Sequence, residues 1–276
     1  MSPDLSGNPD PSGIEAFDFD LATAVTGEGP VFGASLDGRW NALFGTNGGF
    51  LLALATQAIS KVMPFPDPIV VSGFFLRPGS AGPVSISTEV IRAGKTTSFG
   101  QASVLRDGKE VLRATAAFSD LEVAAARGGP VHEAGGMPDL PPPEHCAQVP
   151  PAALGATIAE RFEYRPVTLP HWAAGSSPSS NPVYELWMRF ADGREPDLAS
   201  LPLFVDATAP AVMEVGVVST TIELTVHLRA KPAPGWLACR VATRHLSSGY
   251  HEEDFDIWDS TGTLVAQSRQ LALIVG

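Results

Sequence analysis

The strongest constraint on this chain is that it resembles itself. Gly82-Pro83-Val84-Ser85-Ile86-Ser87-Thr88 can be laid against Gly235-Trp236-Leu237-Ala238-Cys239-Arg240-Val241, a shift of 235 − 82 = 153 residues. The same shift lays Val111–Ala117 against Leu264–Gln270, each after a turn, Asp107-Gly108-Lys109 in one half and Ser260-Thr261-Gly262 in the other. Self-similarity at a fixed offset means two copies of one structural unit, and 276 residues are enough for two domains of ordinary size.

Each half has the same order of periodicities. Phe50, Leu51, Leu54, Ala55, Ala58 and Ile59 recur at three- and four-residue spacing, which predicts a helix opening near Asn47 with one apolar stripe and one solvent-facing side. The matching segment of the second half runs from Leu201 to about Val215 and carries Pro202 and Pro210. Strands follow each helix: Ile69–Phe75, Val84–Arg92, Ser98–Arg106 and Val111–Phe118, then Ser219–Arg229, Leu237–His245, Glu252–Asp259 and Leu264–Val275. Turns as short as Asp107-Gly108 force antiparallel neighbours, since parallel strands need a long crossover. The expected architecture is α+β, a long helix wrapped by an antiparallel sheet, made twice. Residues 1–16 read as a flexible tail, 17–123 as the first domain, 124–151 as a Pro/Gly-rich linker and 152–276 as the second domain.

Composition excludes several classes. A formal charge of −12, with no clustered Lys and Arg, opposes nucleic-acid binding and docking on an anionic membrane. The longest apolar stretch, Gly48–Met63, is interrupted by Thr56, Gln57, Ser60 and Lys61 and falls short of a membrane span. Two distant cysteines, Cys146 and Cys239, and an N-terminus without a basic start or apolar core point to a reduced, cytoplasmic protein.

Specific stretches carry a family likeness. Asn47-Gly48-Gly49-Phe50, Phe74-Phe75-Leu76-Arg77-Pro78-Gly79, Gly108-Lys109 and Ala116-Ala117-Phe118 in the first half, and Leu201–Asp206, Trp236-Leu237 and Gly262–Gln270 in the second, resemble the TesB-like acyl-CoA thioesterases. The resemblance implies two tandem hotdog domains and hydrolysis of a fatty acyl-CoA to free acid and CoA. It also implies a water-positioning trio of Asp, Thr and Gln, which falls on Asp206, Thr220 and Gln270. Asn47, Gly48, Gly49, Ser72 and Arg77 become candidate substrate contacts. Ser72 stands where several relatives have His.

The residues also have readings of their own. Asp206 suits a helix N-cap or a general base near a helix start. Thr220 alternates with Ile222, Leu224 and Val226, which puts it on the inward face of its strand; β-branched residues suit strands in any case. Gln270 shares a face with Ala266, Ala272 and Ile274 and needs a partner, backbone or water. At the repeat offset Gln270 faces Ala117, and, matched by helix start instead of by the offset, Asp206 answers the Gly48-Gly49 region, so polarity is concentrated in the second copy. Arg77, Arg92 and Lys95 suit CoA phosphates or solvated strand ends. Successive residues of His251-Glu252-Glu253-Asp254 point to opposite faces, so no metal is expected. No cofactor is expected beyond the CoA of the substrate, and a homodimer or tetramer is expected. A silent acyl-CoA binding protein or a double-hotdog enoyl-CoA hydratase are the alternatives.

Overall fold

The computed structural model describes residues 16–275; the tail reading of 1–16 lies outside them except for Ala16. We label the principal strands β1 Val31–Leu36, β2 Asp67–Phe75, β3 Gly82–Arg92, β4 Ser98–Arg106, β5 Lys109–Ser119, β6 Phe162–Pro166, β7 Val183–Phe190, β8 Ser219–Leu228, β9 Leu237–Ala242, β10 Tyr250–Trp258 and β11 Leu264–Ile274. They form one antiparallel sheet in the order β1-β3-β4-β5-β2-β8-β11-β10-β9-β7-β6, with the short strand Leu246–Ser247 added on β10. Strands β1, β6 and β7 add to the eight read from periodicity.

Two hotdog units meet along β2 and β8. Phe74 pairs with Glu223, Gly73 with Leu224, Ser72 with Thr225, Val71 with Val226 and Val70 with His227. Ser72 and Thr225 are equivalent residues of the repeat, 153 apart, and their hydroxyls touch at 2.7 Å. The chain therefore has an internal two-fold axis through this pair. Irregularities repeat as well: β2 bulges at Ile69 against β5, and β8 at its equivalent Ile222 against β11. The register shift after Val104 recurs after Ile257.

The first-copy helix, Gly48–Ser60, is buried on nearly all sides rather than along one stripe. The sheet wraps one side, and the second-copy helix covers the side expected to face solvent. Phe50, Leu52 and Leu54 have no exposed surface, and each contributes roughly 1.5–3 kcal/mol by leaving water. The second-copy helix is only Leu201–Phe204, followed by a turn and a 3-10 segment, Ala211–Val215. Pro210 has no N–H to continue a helix and disfavours helical backbone at Ala209, which explains the break.

Between the copies, a helix spans Leu121–Ala126 and the next regular turn is Pro143–His145. Trp187 on β7 donates its indole N–H to the Pro141 carbonyl, and Cys146 is buried beside it with its thiol 3.5 Å from the same oxygen. Among the described residues no helix is long and apolar enough to cross a membrane.

Candidate functional site

A cavity of about 380 Å³ opens where the two helices meet, walled by Leu51, Phe75, Ile158 and Met213 and by the polar residues Asn47, Asp206, Thr220, Thr221 and Gln270. This volume is ordinary for a small-molecule site. Asp206 follows the second-copy helix instead of opening it, so the N-cap reading in its own copy fails. Its carboxylate instead crosses to the other copy. Oδ2 accepts from the Gly49 backbone N–H at 2.8 Å and from Asn47 Nδ2 at 3.0 Å. Asn47 is the N-cap of the first-copy helix, accepting from Phe50 N through Oδ1, and its amide also donates to the Asp206 carbonyl at 2.7 Å.

This approach depends on glycine. A Cβ at Gly49 would lie 2.6 Å from the Pro202 carbonyl and 2.8 Å from the Asp206 Cβ, and one at Gly48 would lie 2.9 Å from the Phe75 ring. Asp206 is held from the other side too, because Tyr164 and Tyr184 donate their hydroxyls to the carbonyls of Ala207 and Ala209. Burial raises the Asp206 carboxyl from its ordinary 3.8 to about 6, opposed by the Gly49, Asn47 and Gly48 donors. A carboxylate balanced near neutrality can take a proton during a reaction at pH 7.

The strict alternation that aimed Thr220 inward fails at the Ile222 bulge. An extra residue in one strand reverses the parity before it, so Thr221, paired with Ala272, shares the Gln270 face, and Thr220 pairs with Leu273. Thr221 Oγ1 donates to Gln270 Oε1 at 2.6 Å. Thr220 remains on the cavity wall as its neighbour.

Gln270 is 4% exposed, and its Nε2 donates to Glu253 Oε1 at 2.7 Å. The other Glu253 oxygen accepts from the Ala211 backbone N–H. Burial raises the Glu253 carboxyl to about 8, with the Ala211 and Gln270 donors opposing and the charge of Asp206 adding to the rise. Beside it on β10, buried His251 meets Ser219 Oγ through Nε2 at 2.8 Å, and burial lowers its pKa. Glu253, His251 and Thr221 were missed in the sequence, although His251, Glu253, Phe255 and Ile257 share one inward parity.

Asn47, Gly48 and Arg77 line the cavity, Arg77 at an exposed position with its guanidinium on the Glu110 carbonyl. Gly49 acts through Asp206. Ser72 does not belong to the site: it lies at the internal axis, bonded to Thr225, because only every second residue of β2 faces inward. Arg92 and Lys95 are exposed and away from the cavity wall.

A second cleft, of about 330 Å³, lies across the internal axis. All 12 of its lining residues sit 153 positions from a residue lining the first cavity; Thr56 answers Ala209, Asp67 answers Thr220, Pro68 answers Thr221 and Lys231 answers Pro78. Both of its carboxylates are committed to structure: Asp67 Oδ2 accepts from Leu121 N at 2.9 Å, with Lys231 Nζ 3.6 Å from Oδ1, and Asp197 accepts from Ser200 N at 2.9 Å and from Arg194 Nη2 at 2.8 Å.

Comparison with known proteins finds the acyl-CoA thioesterase N-terminal domain over residues 36–119 and the acyl-CoA thioesterase C-terminal domain over residues 142–274. A solved structure from Thermobifida fusca YX, described as a candidate thioesterase II, is 31% identical with a TM-score of 0.85, covering 95% of this chain and 99% of its own. A hot dog fold protein from Alicyclobacillus acidocaldarius shares the fold at 24% identity, with a TM-score of 0.83 and coverage of 95% and 99%. An uncharacterized protein of Mycobacterium tuberculosis H37Rv is 27% identical over 88% of this chain and 91% of its own length.

Proposed function

The chain belongs to the acyl-CoA thioesterase family and is a thioester hydrolase, and from that premise we propose that it cleaves fatty acyl-CoA by direct attack of a water held by Asp206, Thr221 and Gln270. The observation that carries this reading is the Asp206 carboxylate, poised near pH 6 on the cavity wall that also holds Gln270 and its partner Thr221. Asp206 accepts a proton from the water as its oxygen attacks the thioester carbonyl carbon. The tetrahedral oxyanion forms near the positive end of the first-copy helix, whose dipole favours negative charge. Collapse breaks the C–S bond, and the CoA thiolate leaves without needing a strong acid. Thr220 in this reading lines the wall, and the hydroxyl role passes to Thr221.

The walls fit the two ends of the substrate. Leu51, Phe75, Leu76 and Met213 offer apolar contact to the acyl chain, and Arg77 offers a cation to a CoA phosphate at the mouth. The alternative of an acyl-CoA binder without turnover is separated by one experiment. Thiol release across acyl-CoA chain lengths, measured for wild type and Asp206→Ala, is expected to be abolished in the variant. Equal rates in both, or none in either, sink this site. We place the protein in the cytoplasm, and we propose a homodimer or tetramer because the outer edges of β1 and β6 are met only in part, by Thr26 and by Ala147 and Val149; light scattering measures the assembly.

A further inference from the structure

We propose that Glu253 is a positioning residue for this hydrolysis, fixing the Gln270 amide so that Thr221 offers the reacting water only oxygen lone pairs. The inference rests on the reading above and extends it to a residue that does not line the cavity. Glu253 is 3% exposed, and both of its oxygens are engaged by N–H donors. One donor, Ala211 N–H, belongs to the backbone and cannot be turned into an acceptor. The other is Gln270, whose amide has two possible orientations. An ionised carboxylate only accepts, so it requires Nε2 of Gln270 and thereby directs Oε1 toward Thr221.

The consequence passes along the chain. The single hydroxyl proton of Thr221 is spent on Gln270 at 2.6 Å, so toward the cavity its oxygen can only accept. A water between Thr221 and Asp206 must then donate one proton to each. Its lone pair is left free to face the carbonyl carbon. With the amide reversed, Thr221 would donate to the water and occupy that lone pair. A proton on Glu253 Oε1 reverses the amide in the same way, so the productive arrangement belongs to the ionised acid. The titratable groups around Glu253 are Asp206 and its neighbour Asp254, whose charges add to its rise, His251 beside it on β10, which burial pushes toward the neutral form, and Tyr184, whose hydroxyl burial and the charge of Glu253 keep protonated. The equivalent of Glu253 in the first copy is Gly100, so the device exists once.

Glu253→Gln keeps size but offers one acceptor to two donors. The Ala211 N–H takes that acceptor, and Gln270 turns over. The expected result is a fall in kcat of about 10–100-fold with KM changed less than about 3-fold, and loss of the Glu253 ionisation from the kcat–pH profile. In a Gln270→Ala background the same substitution should add nothing, since coupled residues are not additive. Wild-type kcat in Glu253→Gln, an unchanged pH profile, or losses that multiply in the double variant overturn the proposal. If Glu253→Gln does not fold, the side-chain amide resonance of Gln270 in the wild-type protein, identified by its disappearance in Gln270→Ala, decides: a downfield, slowly exchanging signal is expected, and one like a solvated amide overturns it. Gln270→Ala and Asp206→Asn that both retain thiol release would instead refute the water-positioning reading itself.

Discussion

The two clefts are related by one axis and share a shape, yet their chemistry differs at almost every equivalent position. Asp206, Thr221, Glu253 and Gln270 answer Ala53, Pro68, Gly100 and Ala117. The two carboxylates in the second cleft are held by structure, Asp67 at the start of the Leu121–Ala126 helix and Asp197 on Arg194 and the Ser200 backbone N–H. The helix ends differ in the same sense. Gly48-Gly49 admit a carboxylate against free backbone N–H groups, whereas their equivalents, Leu201-Pro202, have side chains and one fewer donor. Duplicated geometry therefore does not duplicate the chemistry of the walls: a desolvated acid faces a helix start in the first cavity, and its equivalent position in the other copy is alanine.

The comparison breaks most visibly at the acids. Asp206→Asn is expected to lower kcat about 10²–10⁴-fold, while Asp67→Asn leaves it within about 2-fold, both read by thiol release. Stability should move in opposite directions. Because the folded-state pKa of Asp206 is raised from 3.8 to about 6, its contribution is fully present below pH 3.8 and lost as pH rises through 6. At pH 8, Asp206→Asn should therefore raise stability by ~3 kcal/mol, and Asp67→Ala should lower it by about 1 kcal/mol through the lost cap, measured by urea unfolding. The same titration predicts kcat/KM rising with pH through about 6, the limb that Asp206→Asn removes.

Next in size is Gly49→Ala. The added carbon meets backbone and Asp206 together, so a loss of about 1–3 kcal/mol in stability and a fall in kcat are expected. Thr221→Val should lower kcat about 10-fold or more by releasing Gln270, and Thr220→Val less than about 3-fold; equal effects would remove the bulge from the argument. The smallest effect belongs to the axis. Ser72→Ala should cost about 0.5–1.5 kcal/mol and leave turnover unchanged.

Much of the fold was legible because a repeat is a long-range signal. One offset read from strands near Gly82 and Val111 implies that a residue on an internal axis meets its own equivalent 153 positions on, although no local pattern singles out Ser72 or Thr225. The site was legible in part. Asp206 and Gln270 stood out as polar residues among apolar ones. The partner of Asp206 lies 157 residues away in the other copy, beyond any periodicity. Thr220 came from the family resemblance, and alternation aimed it inward because alternation assumes an unbroken strand; nothing in Thr-Thr-Ile-Glu announces a bulge. Only alignment with Ile69 in the other copy, with both strands in view, shows that it recurs. β6 and β7 escaped because they precede the segment where the two copies were compared, though Val183–Phe190 alternates well enough to be found.

The axis through Ser72 and Thr225 has a consequence for how such a chain can vary. In a pair of identical subunits, every substitution is made at both clefts, so a residue that helps one and burdens the other is judged on the sum. Here the two halves share a polypeptide but not a sequence, and each position can be chosen separately. A buried acid that costs stability is present once, and its counterpart is free to be alanine.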